Sequence, residues 1–282
     1  MSKRALVLTH RWPKETACAF DSLFAAASKA GFELLFDASE TEKHGLSARE
    51  GVIVDADASE TVDVCIVLGG DGTILSALRR FAHTGVPVFA VNFGEVGFLA
   101  TIEPESMERD FARAFAGDFE VLALPAVVVS GPDGRAAAIN DVSIHRKVGE
   151  RVAELSYLIE DEEVGSVRCD GVVVSTPAGS TGYNLANGGP VLAWGVEGFV
   201  VSFIAPHSLT ARALVVAPRD TLRICNQSTD PVDVIVDGRP VWELPAEGVL
   251  EATFAHDVAH LAQVPGSTFY RRLREKFGRL SS

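Results

Sequence analysis

Apolar and polar positions alternate along this chain with two periods, and the change from one to the other divides it. The first part interleaves short apolar runs with amphipathic stretches: strands are predicted over 5–9, 33–36, 62–68 and 86–91, and helices over 17–30, 74–81 and 105–115. Strand alternating with helix predicts an open, parallel α/β sheet. After Gly117 the pattern shortens to β-branched runs separated by turn residues, over 127–130, 136–139, 155–159, 171–175, 199–204, 222–224, 232–236 and 249–254. A mostly β, sandwich-like second domain follows from that regularity. A last amphipathic stretch, 267–279, opens on Ser267 as a cap and carries Phe269, Leu273 and Phe277 at helical spacing, so it is expected to pack back on the first domain. The predicted divisions are 1–117, 118–264 and 265–282. The polar, acidic segment 37–59 reads as loop, either a mobile lid or a solvated connection.

Composition narrows the partners. The chain has 282 residues, 47% of them hydrophobic, which is enough for a large core in one or two domains. Its formal charge of -13 disfavours a nucleic-acid backbone or an anionic membrane surface. Cys18, Cys65, Cys169 and Cys225 are widely spaced with no CxxC pair, which reads as reduced core cysteines. The apolar run near the N-terminus is too short for a signal-peptide core, and no long uncharged apolar segment occurs, so a cytoplasmic enzyme is expected.

The first candidate chemistry is LGGDGTIL over 68–75, directly after an apolar strand. Gly69, Gly70 and Gly72 let backbone N–H groups approach a phosphate. The spacing fits neither GxxxxGK[ST] nor the dinucleotide fingerprint, in which Leu75 would occupy the third glycine position. Asp71 suits a reaction that needs phosphate cradling and a base together, because phosphoryl transfer to an alcohol needs an acceptor for the hydroxyl proton. A tight turn whose Asp caps a helix from Thr73 uses the same residues. On this loop alone the two readings are evenly balanced.

A second motif, DGVVVSTPAGSTGYNLA over 170–186 followed by Gly188-Gly189-Pro190, breaks the tie. Together with GGDGT it resembles the NAD kinase family. Asn92-Phe93-Gly94, Gly97-Phe98-Leu99, Asn140-Asp141, PHSLTAR over 206–212 and Asp237-Gly238 follow in the family's order, so the resemblance spans about 64–238. It implies an α/β N-terminal domain and a β-rich C-terminal domain binding NAD between them, with the adenosine ribose 2'-hydroxyl phosphorylated to NADP. It also implies Asp71 as the proton acceptor, and Gly69, Gly70, Gly72 and Thr73 at the phosphates. Asn140, Asp141, Asp170, Ala178, Thr181, Gly182, Tyr183, Asn184, Leu185 and Ala186 are implied around the dinucleotide. Tyr183 would stack on a base, and Arg151 or Arg168 would offset pyrophosphate charge. The sequence departs from the common pattern at Gly182, where Ala is usual, at Asp141, where Glu is frequent, and at Arg239, where Gln is frequent.

The phosphate donor implied is ATP or polyphosphate, with Mg2+ arriving on the donor and no protein-built metal cage. The acidic run 160–163 reads as a hairpin tip, Ser180 as a hydroxyl ordering its own turn, and His207 as a structural group. A homodimer or homotetramer is expected, since the family is usually oligomeric and a β domain offers edges. Two other classes share features with the chain: a lipid or sugar kinase through GGDGT, and a non-catalytic dinucleotide sensor.

Overall fold

A computed structural model of the chain describes residues 2–57, 59–93, 97–100, 102 and 106–278. Two compact units emerge, Met1–Ala123 with Ala259–Ser282, and Leu124–Val258.

The first unit is built from β1 (Lys3–Thr9), α1 (Pro13–Thr16), α2 (Phe20–Ala30), β2 (Phe32–Leu35), α3 (Ala38–His44), β3 (Val52–Ile53), β4 (Val64–Leu68), α4 (Asp71–Arg80), β5 (Pro87–Val91) and α5 (Met107–Ala116). Its strands pair in parallel in the order β5-β4-β1-β2-β3. All five residues of β4 are buried, which is why Val64–Leu68 is an unbroken apolar run rather than an alternating one. Phe36, Phe89 and Phe111 fill the core beside the strands. The structure differs from the sequence reading in several places, among them the short helix α1 ahead of the stretch 17–30. Segment 37–59 contains a helix and a strand, because the Asp37 side chain accepts from Glu40 N–H at the N-cap and Gly45 closes α3 in the left-handed region at φ 59°. The helix after the glycine loop starts at Asp71, three residues earlier than the apolar spacing placed it.

The second unit comprises most of β6 (Glu120–Gly131), β7 (Gly134–Ala138), β8 (Asp141–Arg146), β9 (Ala153–Ile159), β10 (Glu162–Cys169), β11 (Gly171–Ser175), α6 (Tyr183–Ala186), β12 (Phe199–Ile204), β13 (Leu214–Val216), β14 (Leu222–Asn226), β15 (Val232–Val236), β16 (Arg239–Leu244) and most of β17 (Val249–Gln263). One sheet runs β13-β12-β11-β8-β15-β16, antiparallel throughout. The other carries β10-β9-β14-β17, also antiparallel. Val142, Ile144, Val172 and Val174 pack with Leu155, Ile224 and Leu250 in one core, the sandwich arrangement the sequence predicts. The acidic run forms the β9–β10 tip, with Glu160 and Asp161 at φ 50° and 70° as a two-residue hairpin turn requires.

The chain re-enters the first unit at Ala259, inside β17 and before the division read at Val264. The end of β17 continues as a strand because His260, Leu261 and Ala262 pair in parallel with Pro87, Val88 and Phe89. Helix α7 (Phe269–Phe277) follows and packs Phe269 and Phe277 on the ring of Phe98. Thr268, rather than Ser267, caps it by accepting from Arg271 N–H.

Candidate active site

In the first unit the glycine loop leaves the carboxyl end of β4, the edge of an open parallel sheet at which ligands bind. Gly69 N–H donates to the Val91 carbonyl at 3.0 Å, tying the loop to β5. A Cβ on Gly69 would sit 2.7 Å from Thr73 Oγ1, so only glycine lets this turn close on the first turn of α4. Helix N-terminal amides lack intrahelical acceptors and carry the positive end of the helix dipole, so this loop presents donors suited to phosphate.

Asp71 opens that helix, yet its side chain does not cap it. Its Oδ2 accepts from Phe98 N–H at 2.8 Å and its Oδ1 from Leu99 N–H at 3.1 Å. A Cβ on Gly97 would lie only 2.0 Å from Asp71 Oδ1, so the chain crosses directly over the carboxylate. Both oxygens are thereby fixed, and each keeps a lone pair for a hydroxyl proton. This resolves the ambiguity left by the loop alone in favour of a held, non-capping carboxylate.

In the second unit, Asn140 and Asp141 stand at the head of β8, where the carboxylate of Asp237 gathers the chain. Asp237 Oδ2 accepts from Ile139 N–H at 3.1 Å, and its Oδ1 accepts from Asn140 N–H at 2.8 Å and Asp141 N–H at 3.2 Å. Asp237 and Gly238 form the β15–β16 turn, with φ 46° and 74°. Burial, and then the neighbouring Asp237 charge, push the Asp141 carboxyl up to about 7. Asn140 Oδ1 is buried with no hydrogen-bond partner among the described residues, leaving an acceptor uncommitted.

The 176–186 segment packs on the same place. Thr176 N–H donates to the Asn140 carbonyl at 2.9 Å, and Thr176 Oγ1 donates to the Ile139 carbonyl at 2.6 Å. A Cβ on Gly179 would fall 2.1 Å from the Asn140 oxygen, so the glycine is what lets the turn touch β8. Ala178 is buried, Thr181 and Leu185 are half-buried, and Gly182 and Ala186 are exposed. The exposed Tyr183 ring stacks on His145, centroids 5.7 Å apart and planes 12° from parallel. Burial lowers the His145 imidazole and raises the Tyr183 phenol from their ordinary values, so both rings are neutral around pH 7. Ser180 is fully buried, donating to the Pro177 carbonyl and accepting from Leu192 N–H, which is the local ordering role the sequence assigns it.

The sequence matches the ATP-NAD kinase N-terminal domain family over residues 10–119 and the ATP-NAD kinase C-terminal domain family over 139–264. Similar proteins described as NAD kinase include one from Lachnoclostridium phytofermentans, 36% identical over 82% of this chain and 86% of its own. Others are from Gemmatimonas aurantiaca, 32% identical over 98% of this chain and 96% of its own, and Symbiobacterium thermophilum, 35% identical over 98% and 99%. The chain belongs to the NAD kinase family. The fold agrees: yeast NADH kinase complexed with NADH superposes with a TM-score of 0.87 at 22% identity, covering 100% of this chain and 89% of that one. An NAD kinase from Archaeoglobus fulgidus in complex with ATP gives 0.73 at 24%, covering 99% and 98%.

Within this NAD kinase fold the residues singled out from the sequence fall into groups. Gly69, Gly70, Asp71, Gly72 and Thr73 are contiguous at the β4–α4 junction. Gly179, at the head of the short 3-10 turn Gly179–Thr181, packs on Asn140 beside Asp141, Thr181 Oγ1 donates to the Ala178 carbonyl, and Tyr183 lies over His145. Asn184 is fully buried and structural in its contacts, its Nδ2 donating to the Ser180 and Pro190 carbonyls at 2.9 Å each. Asp170 is held by Arg146, whose Nε donates to Oδ1 at 2.5 Å. Arg151 and Arg168 are exposed; Arg168 lies on β10 opposite Glu154, in the other sheet of the unit from β8. Sequence reasoning missed Asp237 as the organiser of β8, although an Asp-Gly pair between two apolar runs was a visible turn signal. It also missed Arg146, His145 and the amides of Phe98 and Leu99, for which periodicity offers no signal.

Proposed function

We propose that this chain transfers a phosphoryl group from ATP to the 2'-hydroxyl of the adenosine ribose of NAD, giving NADP, with Asp71 accepting the hydroxyl proton. The observation that carries the reading is the Asp71 carboxylate, fixed by two backbone amides beside glycines at a helix N-terminus. A base and a phosphate cradle then stand together, which in-line transfer to an alcohol needs. In the second unit Asn140, Asp141 and Tyr183 recognise the dinucleotide. The uncommitted Asn140 Oδ1 would accept from an amino or hydroxyl group, Asp141 adds a group able to donate when protonated, and Tyr183 presents a ring to a base.

Among the described residues no three His, Cys, Asp or Glu side chains converge as metal ligands. Mg2+ is proposed to arrive with the phosphate donor, held by its phosphate oxygens and water, which leaves Asp71 to accept the proton. Bound there, the cation would neutralise phosphate charge during transfer. ATP rather than polyphosphate is the proposed donor, consistent with the family description, and a homodimer or homotetramer in the cytoplasm is part of the same proposal. No described helix is long and apolar enough to cross a membrane.

The test is NADP formation from NAD, ATP and Mg2+, followed with an NADP-specific dehydrogenase, in wild type and Asp71→Asn. Turnover in the wild type with a loss of about 100-fold or more in the variant is expected. Undiminished turnover in the variant removes Asp71 as the base, and binding of NADP without any turnover identifies a sensor instead.

A further inference from the structure

Helix α7 docks on the segment that holds Asp71. The rings of Phe269 and Phe277 lie 6.4 and 6.2 Å from that of Phe98, and Lys276 Nζ stands 4.4 Å over the same ring. Between the two phenylalanines the helix buries an arginine, Arg272, only 7% exposed. Its Nη1 donates to the Phe98 carbonyl, and its Nη2 donates to Ser267 Oγ at 3.1 Å. That carbonyl belongs to the peptide group whose N–H, on Leu99, donates to Asp71 Oδ1. One peptide unit is thus clamped at its oxygen by the guanidinium and at its hydrogen by the carboxylate. Hydrogen bonds in such a chain polarise and strengthen one another.

We propose that Arg272 is a positioning residue for Asp71, acting through the Phe98–Leu99 peptide, so that the C-terminal helix is part of the catalytic apparatus. The inference rests on the reading of Asp71 as the base. Burying a guanidinium costs more than burying an apolar side chain of similar size, and the aromatic contacts already dock the helix. What Arg272 adds is a grip on the backbone beside Asp71, from 174 positions along the chain. Burial pulls its guanidinium down to about 10, against the opposing charges of Asp71 and Glu275, so it remains a cation at neutral pH. It therefore fixes the peptide and places a positive charge near the carboxylate.

The experiment is a double-mutant cycle with Arg272→Gln, Arg272→Lys and Asp71→Asn, measuring kcat and KM for NAD, with thermal unfolding recorded for each. Arg272→Gln is expected to lower kcat about 10- to 100-fold while KM for NAD stays within about 2-fold, the range that a misplacement near 1 Å produces. Arg272→Lys, which keeps a cationic donor, is expected to restore part of the loss. On the Asp71→Asn background Arg272→Gln should change kcat less than about 2-fold, because the group it positions is already lost. The same loss on both backgrounds, or wild-type kcat in Arg272→Gln, overturns the proposal. Amide hydrogen exchange supplies a readout independent of turnover: Phe98 and Leu99 should exchange faster in both Arg272 variants, with the interior of α4 unchanged, and unaltered protection overturns the proposal. A wild type that makes no NADP defeats the kinase reading alone and leaves the exchange result to decide the clamp.

Discussion

Gly97→Ala isolates the geometry around Asp71 better than removing the carboxylate, because it leaves every charged group in place. Gly97 does not lie in the left-handed region, so the cost of the substitution comes from the steric clash. The added methyl would stand 2.0 Å from Asp71 Oδ1 and 2.3 Å from its Cγ, whereas real Cβ contacts do not fall below 3.0 Å. The carboxylate or the crossing segment must therefore yield by about 1 Å. Misplacement on that scale costs about 100-fold in rate, or ~2.7 kcal/mol in the barrier. The expected result is a kcat lowered by roughly two orders of magnitude, a KM for NAD changed little, and an intact far-UV spectrum. The assay is the coupled dehydrogenase measurement at saturating ATP and Mg2+, with Gly97→Ala and Asp71→Asn combined to show that the losses are not additive. Wild-type kcat in Gly97→Ala would refute the claim that catalysis depends on the position of this carboxylate.

The elevated Asp141 carboxyl makes stability depend on pH. Because its folded value of about 7 lies above the ordinary 3.8, the folded state binds the extra proton, and stability falls as pH rises between those limits. Asp141→Asn should remove this term, gaining on wild type by up to ~1.4 kcal/mol per pH unit across that window in urea unfolding; a constant difference from pH 4.5 to 7 would count against it. Gly179→Ala places a methyl 2.1 Å from the Asn140 backbone oxygen, with no flexible side chain to give way, and should cost about 1–3 kcal/mol by chemical unfolding. An unchanged midpoint would show that the turn does not rest on β8.

Legibility in the sequence follows the range of the forces involved. The strand before the glycine loop was readable because a strand buried on both faces must be apolar throughout, and the hairpin at Glu160 because a run of carboxylates before Val164-Gly165 suits a solvated tip. Helix α3 was not readable from hydrophobic spacing. The residue it buries is a carboxylate, Glu40, whose Oε2 accepts from Thr9 Oγ1 at 2.7 Å and whose Oε1 accepts from Lys43 Nζ at 2.7 Å. Once those partners are assembled the buried charge is satisfied, but nothing local announces them.

For the site, the sequence by itself determined which chemical groups exist and in what order: glycines that permit close approach, an aspartate among them, and the motifs that carry the family. Only the tertiary structure decided where those groups point. Asp71 reads locally as a helix cap or a base with equal weight, and its direction is set by amides 27 and 28 residues later. The Asp141 carboxyl is pushed up to about 7 first because folding buries it and then because β15–β16 brings the Asp237 charge against β8 from 96 residues away. Backbone conformation is governed by neighbours in sequence, whereas orientation, burial and charge coupling are governed by neighbours in space, and folding alone supplies those.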